Sequence, residues 1–323
     1  ALAAAGHRAA WVGRVGADGF GDHLVETIAS YGVDTSAVRR DPVRPTGIYF
    51  RTATDRGTDT HEVAYYRAGS AASAMSPANV PYEELFAGRV LHLSGITAAL
   101  SGDCLALLRE LTAARPGRPL VSFDVNHRPH LWRGGDADAS VLLELARRAD
   151  LVFVGEDEAE EAWGIVGAEA IRAAVPEPAV LVVKRGSAGA TVFASGLRPG
   201  PRSSIAGGAE CAAGPRSSIA GGADTVTHVP ALRVDVVAAV GAGDAFAAGF
   251  LSATLRGLPV RDRARHGHLM AAAVLTVPGD LTEPPARDHA DRLVALDDDA
   301  WGRLRLGPGW TAADRASEEV RTP

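Results

Sequence analysis

Short apolar runs and longer amphipathic stretches alternate along most of this chain. The runs at residues 10–15, 90–93, 120–124, 151–154, 180–183 and 191–193 are rich in β-branched residues and flanked by turn formers, which predicts core strands. The stretches 21–31, 102–114, 137–148, 156–163, 168–174, 243–256 and 262–276 predict helices. In the 243–256 stretch Phe246, Phe250 and Leu251 sit at helical spacing and are expected to face the sheet. Alternation of this kind predicts an α/β fold with a mostly parallel sheet flanked by helices.

Three regions depart from the alternation. Residues 47–51 and 62–66 are two β-rich runs joined by a polar turn at 54–60, which predicts a hairpin, a small β lid over a site. Residues 200–213 and 214–227 form a tandem repeat in which Gly-Pro-Arg-Ser-Ser-Ile-Ala-Gly-Gly-Ala occurs twice, too small and polar for a solenoid and expected to be a surface loop. From Asp297 the chain turns polar and is expected to be a weakly packed tail. The predicted organisation is a core of residues 1–45 and 70–296, a lid hairpin of 46–69 and a tail of 297–323.

With 323 residues, 46% of them hydrophobic, the chain can bury one large core. A net charge of -6, with scattered arginines and Lys184 as the single lysine, argues against nucleic acid as the main partner. No run reaches the ~18 apolar residues of a membrane span. Cys104 and Cys211 are too few for a disulfide framework or a zinc site, and a reducing, cytoplasmic setting is expected. A homo-oligomer stays open. The histidines, including His7, His61, His127, His266 and His268, show no metal-ligand spacing and are expected to be non-catalytic.

The most informative segment is Gly241-Ala242-Gly243-Asp244, which follows a predicted strand containing Val234, Val236, Val237 and Val240 and opens an apolar helix. Helix-start N–H groups and the helix dipole favour an anion such as phosphate. A carboxylate beside bound phosphate repels it, so its presence points to proton removal from an attacking hydroxyl. The plainer alternative is that Asp244 only caps the helix.

Five motifs in order carry a resemblance: Trp11-Val12-Gly13-Arg14-Val15-Gly16 with Asp18, Phe20 and Gly21; Tyr65-Tyr66-Arg67-Ala68-Gly69-Ser70; Asp124-Val125-Asn126-His127-Arg128 with Leu131-Trp132; Val182-Val183-Lys184-Arg185-Gly186-Ser187-Ala188-Gly189; and the Gly241–Asp244 turn. From residue 1 to about 296 the chain resembles the PfkB-type (ribokinase-like) carbohydrate kinases, most of all the 2-keto-3-deoxygluconate kinases. The resemblance implies a ribokinase-like fold and ATP-dependent phosphorylation of a sugar-acid hydroxyl. It implies Asp244 as general base and Gly241, Ala242 and Gly243 with it as the anion hole. Substrate would be held by Tyr49, Tyr65, Arg67 and Arg128, ATP by Lys184, Gly186, Ser187 and Gly189, and Mg²⁺ with help from Glu158. Residues 267–279 would close the adenine side. Alternatives are a kinase for a neutral sugar such as fructose or ribose, or a catalytically silent relative. A dinucleotide-dependent dehydrogenase is disfavoured because its phosphate turn comes early in a chain.

The chain departs from the family pattern in three places. Ala238-Ala239 stands where the family writes Asp-Thr near a monovalent-cation site, so weak or absent K⁺ activation is expected. Gly155 replaces the Asn of an Asn-x-x-Glu pattern. The family's first strand and Gly-Gly…Asn segment have no counterpart, and the chain begins without Met, so an earlier segment is expected to be missing.

Overall fold

The computed structural model describes residues 1–51, 63–132, 138–195, 224–279 and 281–312. The chain opens with β1 (Ala9–Ala10), β2 (Arg14–Gly16), helix α1 (Gly19–Ser30), β3 (Val33–Asp34) and β4 (Arg39–Asp41). β1 pairs with β3 and β2 with β4, both parallel. The single strand expected over 10–15 is therefore broken in two. Trp11 N still donates to Asp34 O, whereas Gly13 O already accepts from Arg39 N, so residues 11–13 pass the chain from one partner to the next. Asp18 caps α1 by accepting from Gly21 N at 2.8 Å, and the same carboxylate accepts from Thr46 N and Thr46 Oγ1. That joint fixes where the next element leaves the body.

The next element is the expected hairpin. β5 (Ile48–Arg51) and β6 (Val63–Tyr66) are antiparallel, with Tyr49 opposite Tyr65 and Phe50 opposite Ala64. Its 54–60 turn and His61 lie outside the described residues. The period of two puts Tyr49 and Tyr65 on one face and Phe50 and Tyr66 on the other.

After α2 (Tyr82–Phe86) comes the main sheet. It contains β7 (Val90–Ser94), β8 (Leu120–Asp124), β9 (Leu151–Gly155), β10 (Val180–Lys184), β11 (Ala190–Ala194) and β12 (Thr225–Val229), in the order β12-β11-β10-β9-β8-β7. β7 to β10 are parallel, and β11 and β12 are antiparallel additions. The sheet is therefore mixed and mostly parallel. Helices α3 (Gly95–Ala98), α4 (Gly102–Leu111), α5 (Pro129–Trp132), α6 (Ser140–Arg148), α7 (Glu156–Trp163) and α8 (Ala168–Ala174) fill the crossovers. β12 starts inside the second copy of the tandem repeat, so Thr225 to Thr227 are strand, not loop; residues 200–223, with Cys211, lie outside the described residues. Cys104 is buried.

Strand parity divides the core. Leu91, Leu93, Val121, Phe123, Val152, Val154, Leu181 and Val183 pack with α4, α6, α7 and α8 on one face. Leu151, Phe153, Val180, Val182 and Val192 pack on the other, against the C-terminal helices α9 (Ala242–Leu255) and α10 (Val260–Leu275). Phe246, Phe250 and Leu251 are buried there as expected, with the Phe250 ring 5.5 Å from Phe153, edge-on. Gly249 lets α9 approach α10: a Cβ there would come within 2.4 Å of His266 O.

Two expectations fail in this half. The strand expected to feed the Gly241 turn shrinks to β13 (Arg233–Val234). Beyond it, Val237 N and Ala238 N both donate to Leu275 O at the end of α10, and Val236 and Val237 stay 60% and 49% exposed, with no strand paired to them among the described residues. The polar tail expected from Asp297 is instead packed as far as it is described. After α11 (Arg287–Val294), α12 (Asp298–Arg303) and β14 (Arg305–Leu306) follow; β14 pairs with β13. Trp301 and Trp310 are buried at 0% and 2% exposure. The buried Arg265 guanidinium lies 4.5 Å from the Trp301 ring and donates to Val294 O, Leu296 O and Asp298. Two indoles outweigh the surrounding aspartates. No helix among the described residues is long and apolar enough to cross a membrane.

Trp301→Ala is expected to cost about 3–5 kcal/mol of folding stability, the range for deleting a buried aromatic. Urea unfolding measures it; a loss under ~0.5 kcal/mol would restore the loose-tail expectation.

Candidate functional site

Side chains converge at the C-terminal end of the parallel strands, the usual place for a ligand in an open α/β sheet. Parity selects them. His92 on β7, Asp124 at the end of β8 and Lys184 at the end of β10 all alternate with residues of the α4–α8 face, so all three belong to the α9 face. The first turn of α9 opens above them.

The Lys184 Nζ donates to both Asp124 oxygens, at 3.2 and 3.4 Å. The Asp124 side chain is 3% exposed and that of Lys184 19%. Burial alone would lower the Lys184 pKa, but Asp124, Glu158 and Asp244 together raise it, so the ammonium stays charged. A Cβ placed on Gly243 would lie 3.5 Å from Nζ, which puts the ammonium beside the start of α9. Lys184 therefore stands at the centre of this cluster, at the end of β10 where the turn to β11 begins. The loop itself is a tight turn between β10 and β11. Gly186 and Ser187 are exposed at its tip, and Gly189 is buried, with Arg185 N donating to Gly189 O.

α9 starts at Gly241, whose φ of +80° favours a residue without Cβ. Ala242, Gly243 and Asp244 are the next three residues, and the first helical bond there is Ala245 N to Gly241 O. The N-cap position belongs to Gly241, and Asp244 is the acidic residue of the first turn that follows it. Asp244 is reached by solvent, yet the walls around it remove enough water to raise its pKa. The negative Asp124 adds to the rise, and Lys184, His92 and Arg128 oppose it.

Glu158 sits in the first turn of α7. Its Oε2 accepts from Gly155 N at 2.7 Å, and Oε1 lies 3.6 Å from Arg128 Nη1. Burial raises its pKa, Asp124 adds to that, and Lys184 and Arg128 oppose it. Arg128 thus pairs with Glu158, whereas Asp124 is bonded by Lys184. Asn126, at the same strand end, has φ +44° and donates to Ser94 Oγ at 3.3 Å. This is a left-handed bend that turns the chain after β8 across the site.

The lid residues group around Tyr65. Tyr49 and Tyr65 face each other, ring centroids 6.0 Å apart, and the Arg67 guanidinium carbon lies 4.2 Å from the Tyr65 centroid. Arg67 Nε is buried and has no hydrogen-bond partner among the described residues. Burial lowers the Arg67 pKa, Tyr65 opposes this, and the neighbouring Arg128 charge lowers it further. Two guanidinium groups thus act on each other as like charges.

One residue and one contact escaped the sequence reading. His92 was not singled out, although the alternation Leu91-His92-Leu93 places it opposite the core residues. Its pKa is lowered by burial, against the pull of Asp124 and Asp244, so the imidazole is neutral at pH 7. The Lys184–Asp124 contact had no local signal. Of the 267–279 segment expected at the adenine side, Gly267 serves α9–α10 packing: a Cβ there would touch Phe246 at 2.9 Å.

The arrangement joins an anion-binding helix start, an adjacent ammonium and a carboxylate that is short of water. The pfkB family carbohydrate kinase model matches residues 1–287. The chain belongs to the pfkB family of carbohydrate kinases. It is a sugar kinase in that sense. Among curated relatives, the 2-dehydro-3-deoxygluconokinase of Bacillus subtilis (strain 168) is 30% identical over 292 residues, 89% of this chain and 81% of that protein. Fructokinase-1 of Oryza sativa subsp. japonica is 29% identical over 254 residues, 78% of this chain and 69% of that protein. Among solved structures, a PfkB protein from Polaromonas sp. JS666 is 30% identical with a TM-score of 0.68, covering 84% of this chain and 81% of that one. A putative Ribokinase II from E. coli, solved in complex with ATP and Mg²⁺, is 20% identical with a TM-score of 0.69, covering 90% of this chain and 84% of that one.

Lys184→Met is expected to strand the buried Asp124 carboxylate and to destabilise the fold by about 3–5 kcal/mol. Asp124→Asn in the same chain should recover most of it. A double-mutant cycle by urea unfolding measures the coupling, and additive losses would mean that the pair contributes nothing.

Proposed function

We propose that this kinase transfers the terminal phosphoryl group of ATP to a hydroxyl of a small sugar acid, 2-keto-3-deoxygluconate. One observation carries the sugar-acid part: Arg67 and Arg128 are like charges in mutual range, and Arg67 has no carboxylate partner among the described residues. A guanidinium that has no carboxylate partner among the described residues and lies near a second one suits a bound carboxylate, which takes both charges in bidentate hydrogen bonds. Tyr49 and Tyr65, on the same face of the hairpin, would offer phenol groups to the keto and hydroxyl oxygens.

In this reading Asp244 accepts the proton of the attacking hydroxyl as the new P–O bond forms. The bond from phosphorus to the ADP oxygen breaks, and its electron pair leaves with ADP. The N–H groups at Gly241–Asp244 and the Lys184 ammonium hold the charge on the transferring oxygens. Asp124 keeps that ammonium charged and aimed. The backbone of Gly186, Ser187 and Gly189, two to five residues beyond Lys184, passes on the nucleotide side.

Among the described residues no group of three or more His, Cys, Asp or Glu could hold a metal ion by itself. The donor set nonetheless fits Mg²⁺ brought in on ATP, which needs only one or two carboxylates and keeps its waters. Glu158 Oε1 has only the long Arg128 contact and would hold it, with Asp124 close by. When bound, the ion would neutralise phosphate charge. A monovalent cation has less to bind here: Ala238 and Ala239 bring no side-chain oxygen, and Asp235 is engaged by Arg305 at 2.7 Å.

Asp244→Asn is expected to lower kcat by about 10³-fold, within the range for losing a general base. Because burial makes the ionised Asp244 costly, the change should leave Tm unchanged or slightly raised. An ADP-release assay over sugar acids and neutral sugars tests the whole reading. Near-normal turnover by the variant would remove Asp244 as base, and faster turnover of fructose or ribose would move the substrate to a neutral sugar. The pH profile supplies a further check. A base with a raised pKa is ionised only above it, so kcat/KM should fall, as pH drops, at a pH above the ~4 of an ordinary Asp. Asp124→Asn removes a negative neighbour and should shift that acid limb to lower pH; a shift the other way would contradict the assignment.

A further inference from the structure

We propose that His130 is a positioning residue that aims Arg67 for recognition of the substrate's anionic group. This rests on the sugar-acid reading above and adds to it a residue that no motif singled out. His130 lies in the short α5 helix just beyond the end of β8, and Arg67 lies just beyond β6 on the hairpin. Their side chains meet: Arg67 Nη2 and His130 Nε2 are 2.9 Å apart. The imidazole also stacks on Tyr65, with centroids 4.5 Å apart and planes 18° from parallel. Tyr65 in turn lies under the Arg67 guanidinium. One histidine thereby contacts two of the four residues assigned to substrate, and both come from the hairpin.

The chemistry of the contact gives it a purpose. A guanidinium does not lose its proton, so it donates and Nε2 accepts. The ring proton then belongs on Nδ1, an assignment that follows from the hydrogen bond. A neutral imidazole orients Arg67 without cancelling its charge. A carboxylate in the same place would orient it equally well but would neutralise it and compete with the substrate. His130 therefore keeps Arg67 both fixed and cationic. It also ties the hairpin to the strand end that carries Arg128, so the two guanidinium groups are set relative to each other.

The test compares His130→Ala with His130→Gln, since the Gln amide oxygen can accept from Arg67. In the ADP-release assay His130→Ala should raise KM for the sugar acid about tenfold, the effect of losing one hydrogen bond to a charged group, with kcat within about twofold. His130→Gln should recover most of that loss, and KM for any neutral sugar that is turned over should not move. A second readout needs no turnover: ¹⁵N NMR of the substrate-free protein should show His130 Nε2 unprotonated, and Arg67→Met should move that resonance. An unchanged KM in His130→Ala, a Gln variant no better than Ala, or an Nε2 resonance unmoved by Arg67→Met would each overturn the proposal. Failure of the sugar-acid reading looks different, because there the wild-type enzyme itself prefers neutral sugars.

Discussion

A single ammonium group among three carboxylates governs what this end of the sheet can do. Asp124, Glu158 and Asp244 all act on Lys184, and Asp124 bonds it directly. Without that cation, a carboxylate that is 3% exposed would stand uncompensated beside two others. With it, the local negative charge is reduced, and the carboxylates in turn keep Lys184 protonated. The start of α9 depends on the same balance, because its N–H groups open beside Nζ and would have to share any anion with it.

The cost of that arrangement appears in the directions of the pKa shifts. Asp244 and Glu158 are both pushed up, chiefly by burial, so each resists ionisation and each takes stability from the fold at neutral pH. A protein selected for stability alone would not keep two such groups facing a third. Their retention is understandable if Asp244 must be basic enough to take a proton and Glu158 must stay available to a cation. Asp18 shows the contrast. It is pulled down by backbone N–H groups of Thr46 and Gly21, and it acts as a structural joint at the root of the hairpin.

Much of this architecture was legible in the sequence, for reasons that can be named. Residues 120–124, 151–154 and 180–183 read as strands because β-branched runs buried on both faces have few other homes. Asp124 and Lys184 were legible only as members of motifs at the ends of those strands; the face they share was seen in the structure. The helix from Gly243 and its inward Phe246 and Phe250 followed from spacing. The failures share a different cause, since each depended on a distant partner. The 10–15 run breaks because β3 and β4 take it in turn. The valines at 234–240 form almost no strand, and the end of α10 takes the N–H groups of Val237 and Ala238. The segment after Asp297 looks polar by composition, yet Trp301 and Trp310 find a cavity in the α9–α10 layer and Arg265 holds Trp301 there. The Lys184–Asp124 bond spans 60 residues and two strand pairings, and no local pattern encodes it.

Geometry also separates the two tasks of the site. In the function proposed above, charge development would fall to the sheet side, to Asp124, Lys184 and the start of α9. Substrate selection would fall to the hairpin and the bend after β8, to Tyr49, Tyr65, Arg67 and Arg128. The first group sits on rigid strands with buried neighbours, which is where fixed dipoles are most effective. The second stands on a two-stranded element that is marginal by itself and needs tertiary contacts to hold its shape. Contacts across that boundary therefore matter more than their number suggests: Glu158 to Arg128, and His130 to Arg67. They tie the two-stranded element to the strand ends, so in the proposed function specificity could change at the hairpin while the phosphoryl-transfer end of the sheet is left alone.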